Sequence, residues 1–187
     1  MIKRTIIVRL LGLAMSAWAV TASAQPVSPY AGQERREIKA LSPKEIEDLV
    51  HGRGMGLAKP AELNRYPGPL HTLELAGELQ LSAEQRNSIE ASKARMSARA
   101  KALGAEILDL ERQLDTSFAR RTIDRLRLNE LTAQIGAKHG MLRAVHLEAH
   151  IETAGLLSPE QISRYQTLRG YGKAPSAGRD DHGTKHH

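Results

Sequence analysis

The chain contains no cysteine. Disulfides, thiolate catalysis and thiolate metal ligation are therefore excluded. Aromatic residues are also scarce, with one Trp, one Phe and four Tyr among 187 residues. A core drawn from this supply must be aliphatic and thin. There is no Gly-x-Ser-x-Gly elbow and no His-Glu-x-x-His. These absences remove the common signatures of α/β-hydrolases and hydrolytic zinc proteases. Gly52-Arg53-Gly54-Met55-Gly56 is glycine-rich, but no strand pattern precedes it and no Gly-Lys-Ser/Thr follows, so it reads as a connector rather than a phosphate cradle. The remaining Ser and Thr sit mainly at caps or exposed helical positions. Acids such as Glu106 and Glu111 are scattered where helical spacing offers basic partners. The chain reads as no enzyme.

A long apolar run occurs once, near the start. Lys3, Arg4 and Arg9 precede the stretch Leu10 to Val20, and Ala22-Ser23-Ala24 offers a small-residue cleavage site before Gln25. That is the pattern of an export peptide over 1–24, cut after Ala24. Three of the 27 basic residues and none of the 21 acids fall within it, leaving a mature excess of three positive charges. So mild and interspersed an excess argues against a nucleic-acid partner.

One pentapeptide shape organises what remains. Leu81-Ser82-Ala83-Glu84-Gln85 returns as Leu157-Ser158-Pro159-Glu160-Gln161, and more loosely as Leu41-Ser42-Pro43-Lys44-Glu45. Each is a capping box: the Ser hydroxyl serves the N3 amide, and the N3 Gln or Glu reaches back to the cap. Pro at the first helical position costs no hydrogen bond. Between the boxes, Gln85, Ile89, Met96, Leu103, Ile107, Leu110, Leu114 and Phe118 fall within roughly 80° of one another at helical spacing. This predicts one helix from 83 to about 118. A second, capped by Thr122 and running to about 153, carries Leu128, Leu131, Ile135, Leu142, Val145 and Ala149, with Gly155 closing it.

The expected architecture is all-α: a long antiparallel helical hairpin with short flanking helices. Residues 25–69 read as a flexible leader with one short helix opened by Ser42-Pro43 and carrying Ile46, Leu49 and Val50. Residues 70–171 read as the helical domain, and 172–187 as a disordered tail. Two rods touching along one seam leave apolar ridges uncovered, so a homodimer is expected.

An exported, cysteine-free helical chain with two Leu-Ser-x-x-Gln boxes resembles the Spy/CpxP family, whose mark is a repeated Leu-Thr-x-x-Gln. Ser replaces Thr in both copies and keeps the capping hydroxyl. The resemblance covers about 70–171 and is most specific at Leu157-Ser158-Pro159-Glu160-Gln161 with Tyr165 and Leu168. It implies a cradle-shaped periplasmic dimer that binds unfolded or stressed envelope proteins without ATP. It also implies a sensor-kinase partner in some relatives and zinc, nickel or cobalt binding in others. No cofactor is required by it.

Two residue sets are candidates for these roles. A second apolar face, Ile123, Leu126, Ala137 and Met141, interleaves with Arg127 and Glu130 and suits weak binding of many clients. It equally suits covering a second copy or the 43–51 helix. His146 and His150 stand at i, i+4, a spacing that lets two imidazoles share a metal ion. His139 lies two turns earlier on the same edge, and His71 or Glu74 is a candidate third ligand. Ordinary polar residues flanking an apolar stripe account for the same histidines. The tail group Asp180, Asp181, His182, His186 and His187 is a weaker chelating candidate.

Overall fold

The computed structural model describes residues 27–171. The expected export peptide and its cleavage point, and the expected disordered tail with its Asp and His residues, lie outside the described residues. Residues 27–32 belong to a separate small unit, turned by the Ala31 N–H donating to the Ser28 carbonyl at 3.0 Å. From Gln33 onward the described chain is all-helical, with no strand. After a 3-10 turn at Gln33–Arg35 come α1 (Pro43–Val50), α2 (Lys59–Glu62) and α3 (Pro69–Glu74). The long helices are α4 (Ala83–Ala119) and α5 (Arg125–Leu156), followed by α6 (Pro159–Leu168). None of these helices is long and apolar enough to cross a membrane.

All three Leu-Ser boxes start helices. Ser42, Ser82 and Ser158 accept the N3 amide, and Glu45, Gln85 and Gln161 accept the cap amide in return. The two closest copies also meet in space. The Gln85 and Gln161 amides exchange hydrogen bonds at 2.9 and 3.1 Å, while Gln85 donates to the Leu156 carbonyl and Gln161 to the Leu79 carbonyl. The repeated motif thus ties the start of α4 to the start of α6.

The cap of α5 differs from expectation. It is Asp124, whose carboxylate accepts the Arg127 N–H at 2.7 Å, and not Thr122. Asp caps at least as well as Thr, and its charge also suits the positive end of the helix dipole. Thr122 sits in the turn before it. At the other end, Gly155 does not close α5, which runs one residue further to Leu156.

Ion pairs across the hairpin fix its direction. Arg95 meets Glu152, Arg99 meets Glu148 and Lys138 meets Glu106, so partners descend along α5 as they ascend along α4. This is an antiparallel pair. Its seam buries Ile89 and Ile107 from α4, with Leu131, Leu142, Val145 and Ala149 from α5. Phe118, expected on that stripe, is 54% exposed. It lies beyond Gln113, where the last side-chain bond to α5 is made through Arg127.

The expected flexible leader is corrected from Gln33 onward. Ile38 and Leu49 are fully buried and join Ala100, Ile107, Leu108, Leu142 and Val145 in the main core cluster. The physical reason is a second buried face on α4, built from the small residues Ala100 and Gly104 beside Leu108. A Cβ on Gly104 would stand 2.1 Å from the Leu49 carbonyl oxygen, so the end of α1 rests directly on the α4 backbone. Arg112 to Glu37 at 2.8 Å and Lys39 to Asp115 at 2.9 Å hold the preceding segment there. Helix α1 therefore does not cover the face containing Leu126 and Met141, both of which stay exposed.

Candidate functional site

A cleft of about 640 Å³ opens between the 51–71 segment and one side of the hairpin. Its outer wall is the connector Gly52–Gly56. Gly52, Met55 and Gly56 all take positive φ, of 63°, 45° and 77°, turning the chain sharply from α1 toward α2. The two glycines adopt this freely, whereas Met55 does so at a steric cost of about 1–2 kcal/mol. Met55, Leu63, Pro69 and Leu70 face Met96 of α4 across an apolar interior, with His146 and His150 of α5 behind.

His146 is only 5% exposed, and its Nε2 has no hydrogen-bond partner among the described residues. Burial, assisted by the charge of His150 one turn away, holds its pKa below the ordinary imidazole value, so it is neutral at pH 7. His150 is oriented differently. Its Nδ1 lies 2.8 Å from the Tyr66 carbonyl, which only accepts, so Nδ1 carries a proton. The backbone of Gly68 lies on this ring; a Cβ there would come within 2.7 Å of Cε1.

Glu62 closes the base of the cleft. Its Oε1 accepts from the Tyr165 hydroxyl at 2.6 Å and the Tyr171 hydroxyl at 3.0 Å, with Arg169 at 3.6 Å. Its Oε2 has no hydrogen bond and sits 3.6 Å from His150 Nδ1. Burial first, and then Glu62, push the Tyr165 hydroxyl pKa far above its usual value, so it remains a donor. This fully buried tyrosine fastens α6 to α2.

The structure thus brings His146 and His150 to one cleft wall but leaves His139 outside it. His139 instead faces Glu111, whose carboxyl is pushed up by burial and partly restored by the histidine charge. His71 lines the cleft, with Nδ1 committed to Glu74 at 2.7 Å. Among the described residues, no three His, Asp or Glu side chains are grouped to hold a metal ion.

On the outer side of α5, Leu126 and Met141 are 69% and 52% exposed. Ile123 is half-buried at the position before the cap, and Leu128 holds the fourth helical position, the spacing of a hydrophobic staple. The Arg127 guanidinium is tied to Gln113 at 2.7 Å and to Glu130, so it braces the turn. Ile151, 59% exposed and within about 80° of Leu126 and Met141 at helical spacing, extends the apolar face along the helix.

The chain matches no family model, no curated protein and no solved structure.

Sequence reasoning missed Met55, Lys59, Glu62, Lys93 and Met96 as cleft residues. The closely spaced glycines at 52, 54 and 56 were the available signal. They mark a sharp reversal, and such a reversal builds a wall. Glu62 carried no signal, because its partners are more than 80 residues away in sequence.

Proposed function

We propose that this protein is a periplasmic, ATP-independent chaperone or envelope-stress adaptor that holds unfolded or stressed proteins on the outer side of α5. The observation that carries the reading is the exposed apolar line Leu126, Met141 and Ile151, on the side of the helix opposite its buried seam. Exposed Ala133, Ala137 and Ala144 continue the same line, and Glu130, Arg143 and Glu148 flank it. A helix with apolar residues on both sides has more to bury than its own fold uses. Unbranched Met and mixed charges suit weak contacts with many sequences. The paired capping boxes add the Spy/CpxP resemblance, with a sensor kinase as a further partner and a homodimer as the working form.

The test is suppression of aggregation of a chemically denatured client at near-stoichiometric ratio without nucleotide. Wild type should suppress it, and a Leu126→Glu, Met141→Glu, Ile151→Glu variant should lose most of the effect while melting as wild type does. Equal suppression by both proteins would remove this face from the account.

A second reading, a zinc, nickel or cobalt sensor or buffer, has one observation in its favour. His150, whose Nδ1 donates to Tyr66 and whose Nε2 is the nitrogen left to bind a metal, stands one turn from His146, whose Nε2 has no partner among the described residues. Calorimetric titration with each ion tests it. Binding should be lost in His146→Ala and His150→Ala and kept in His139→Ala.

A further inference from the structure

The cleft itself has a chemistry that neither reading uses. Its volume of about 640 Å³ falls within the range of roughly 300–1,000 Å³ typical of small-molecule sites. The interior is apolar, with a methionine from each side. The fixed charges around it are unequal. Among the described residues Glu62 is the one acid lining it, and that carboxylate is already engaged by two tyrosine hydroxyls and Arg169. Arg53 is spent on Glu47 and Asp48. Lys59 and Lys93 remain, and neither ammonium group has a partner among the described residues. Behind them, the imidazole of His146 is buried with one nitrogen unsatisfied.

Buried polar atoms are nearly always hydrogen-bonded, so one left without a partner on a residue that lines a cleft points to a ligand there. A left-handed Met55 in the wall is the kind of backbone cost that accumulates at such places. We propose that this cleft binds one free amphiphilic carboxylate of the fatty-acid kind. Its acyl chain lies between Met55, Leu70 and Met96, and its carboxylate is held by Lys59 and Lys93. A cleft lined by the 51–71 segment, α4 and α5 receives a single chain, whereas a bilayer surface needs a flat or convex face. The proposal is independent of the holdase reading, which concerns the outer side of α5.

The test is calorimetry of the mature chain with decanoate below its micelle concentration, and with 1-decanol as the neutral counterpart. One decanoate should bind per chain. Binding of 1-decanol should be about tenfold weaker, as should decanoate binding to a Lys59→Gln, Lys93→Gln variant. Both lysines are at least partly solvated, so that variant should keep its fold, checked by its melting curve. Met96→Trp, which fills the interior, should abolish binding. The Leu126→Glu, Met141→Glu, Ile151→Glu variant should bind decanoate as wild type does, which separates this site from the client face. Cosedimentation with phosphatidylglycerol vesicles addresses the alternative source, and the protein should stay in solution. Several decanoates per chain, equal affinity for 1-decanol, no binding, or pelleting with vesicles would each overturn the proposal.

Discussion

Where α4 and α5 pack on each other, the buried hydroxyls are satisfied at close range. Ser92 donates to Glu152 at 2.5 Å, and Thr153 donates to the Ala149 carbonyl at 2.7 Å. The 51–69 segment and the wall it faces are different. Among the described residues, two of the three buried side-chain atoms without a hydrogen bond, Glu62 Oε2 and His146 Nε2, are found there. So are Met55 and Arg65, two of the four non-glycine residues with positive φ among those described. The seam of the rods is locally consistent, whereas the segment and the α5 wall it faces carry strain and unused polar valence. Consistency builds a stable frame, and its local failure is where a binding site is expected.

The contact joining the two regions is the place to break that comparison. Gly104 lets the α1 carboxyl end lie on α4, and a methyl group there meets backbone that has no rotamer to escape into. Gly104→Ala should therefore destabilise by about 3 kcal/mol, the upper part of the range for overpacking, despite alanine's better helix propensity. Urea unfolding measures it. A stability equal to wild type would show that α1 is free to lift away and that the segment is not part of the frame.

The next effect lies at the base of the cleft. Tyr165→Phe keeps the ring that fills the core and deletes one donor to a largely buried carboxylate. A hydrogen bond to a charged group contributes roughly 1.5–3 kcal/mol, so a loss of about 2 kcal/mol is expected. Tyr171→Phe should cost less, because its bond to Glu62 is longer and its residue is only partly covered. Equal losses would mean that α6 is held by its terminal residues and not by the buried ring.

The two regions also differ in how far the sequence disclosed them. The hairpin, its direction and its capping boxes were legible, because Ile89, Ile107, Leu131, Leu142 and Val145 follow helical periods and Ser-x-x-Gln marks the starts of α4 and α6, although the Asp124 cap of α5 was not read. The second face of α4 was not. Ala100 and Gly104 carry too little apolar surface to register in a periodic stripe, yet small size is what allows α1 to approach. For the same reason Ile38 went unread within the leader, and the cover for the 43–51 helix was sought on the Leu126 and Met141 face of α5 and not on α4. His146 and His150 were legible as a pair by spacing, but their different roles depend on Gly54, Tyr66 and Gly68, which meet them only in the fold.

Acid sharpens the distinction between a satisfied frame and an unsatisfied wall. The pKa of His146 is lowered in the fold, while the unfolded chain takes up its proton near pH 6.5. The stability this neutral imidazole permits is complete above that pH. It declines as pH falls below 6.5 toward the folded value, because the unfolded state then binds more protons. His150, Glu62, Arg53, Lys59, Lys93, His51 and His71 share the cleft, so the comparison must be with His146→Gln in otherwise native protein. Between pH 7 and 5 that variant should lose stability less steeply than wild type. Parallel curves would show that His146 is already open to solvent.

The smallest effect tests the frame from its outer side. Gly136 and Gly140 interrupt α5 on a surface where an added Cβ meets nothing within 4 Å. Each costs the helix about 1 kcal/mol relative to alanine, and neither has a positive φ to excuse it. Gly136→Ala with Gly140→Ala should raise stability by roughly 1–2 kcal/mol, the opposite sign to Gly104→Ala, so that two kinds of helical glycine are separated by one measurement. Aggregation suppression by the same stabilised protein then carries the functional information. Unchanged activity makes these glycines incidental to the holding surface. A fall in activity with a gain in stability means that the outer side of α5 uses its missing side chains to let another chain approach the helix backbone, as α1 does at Gly104 on α4.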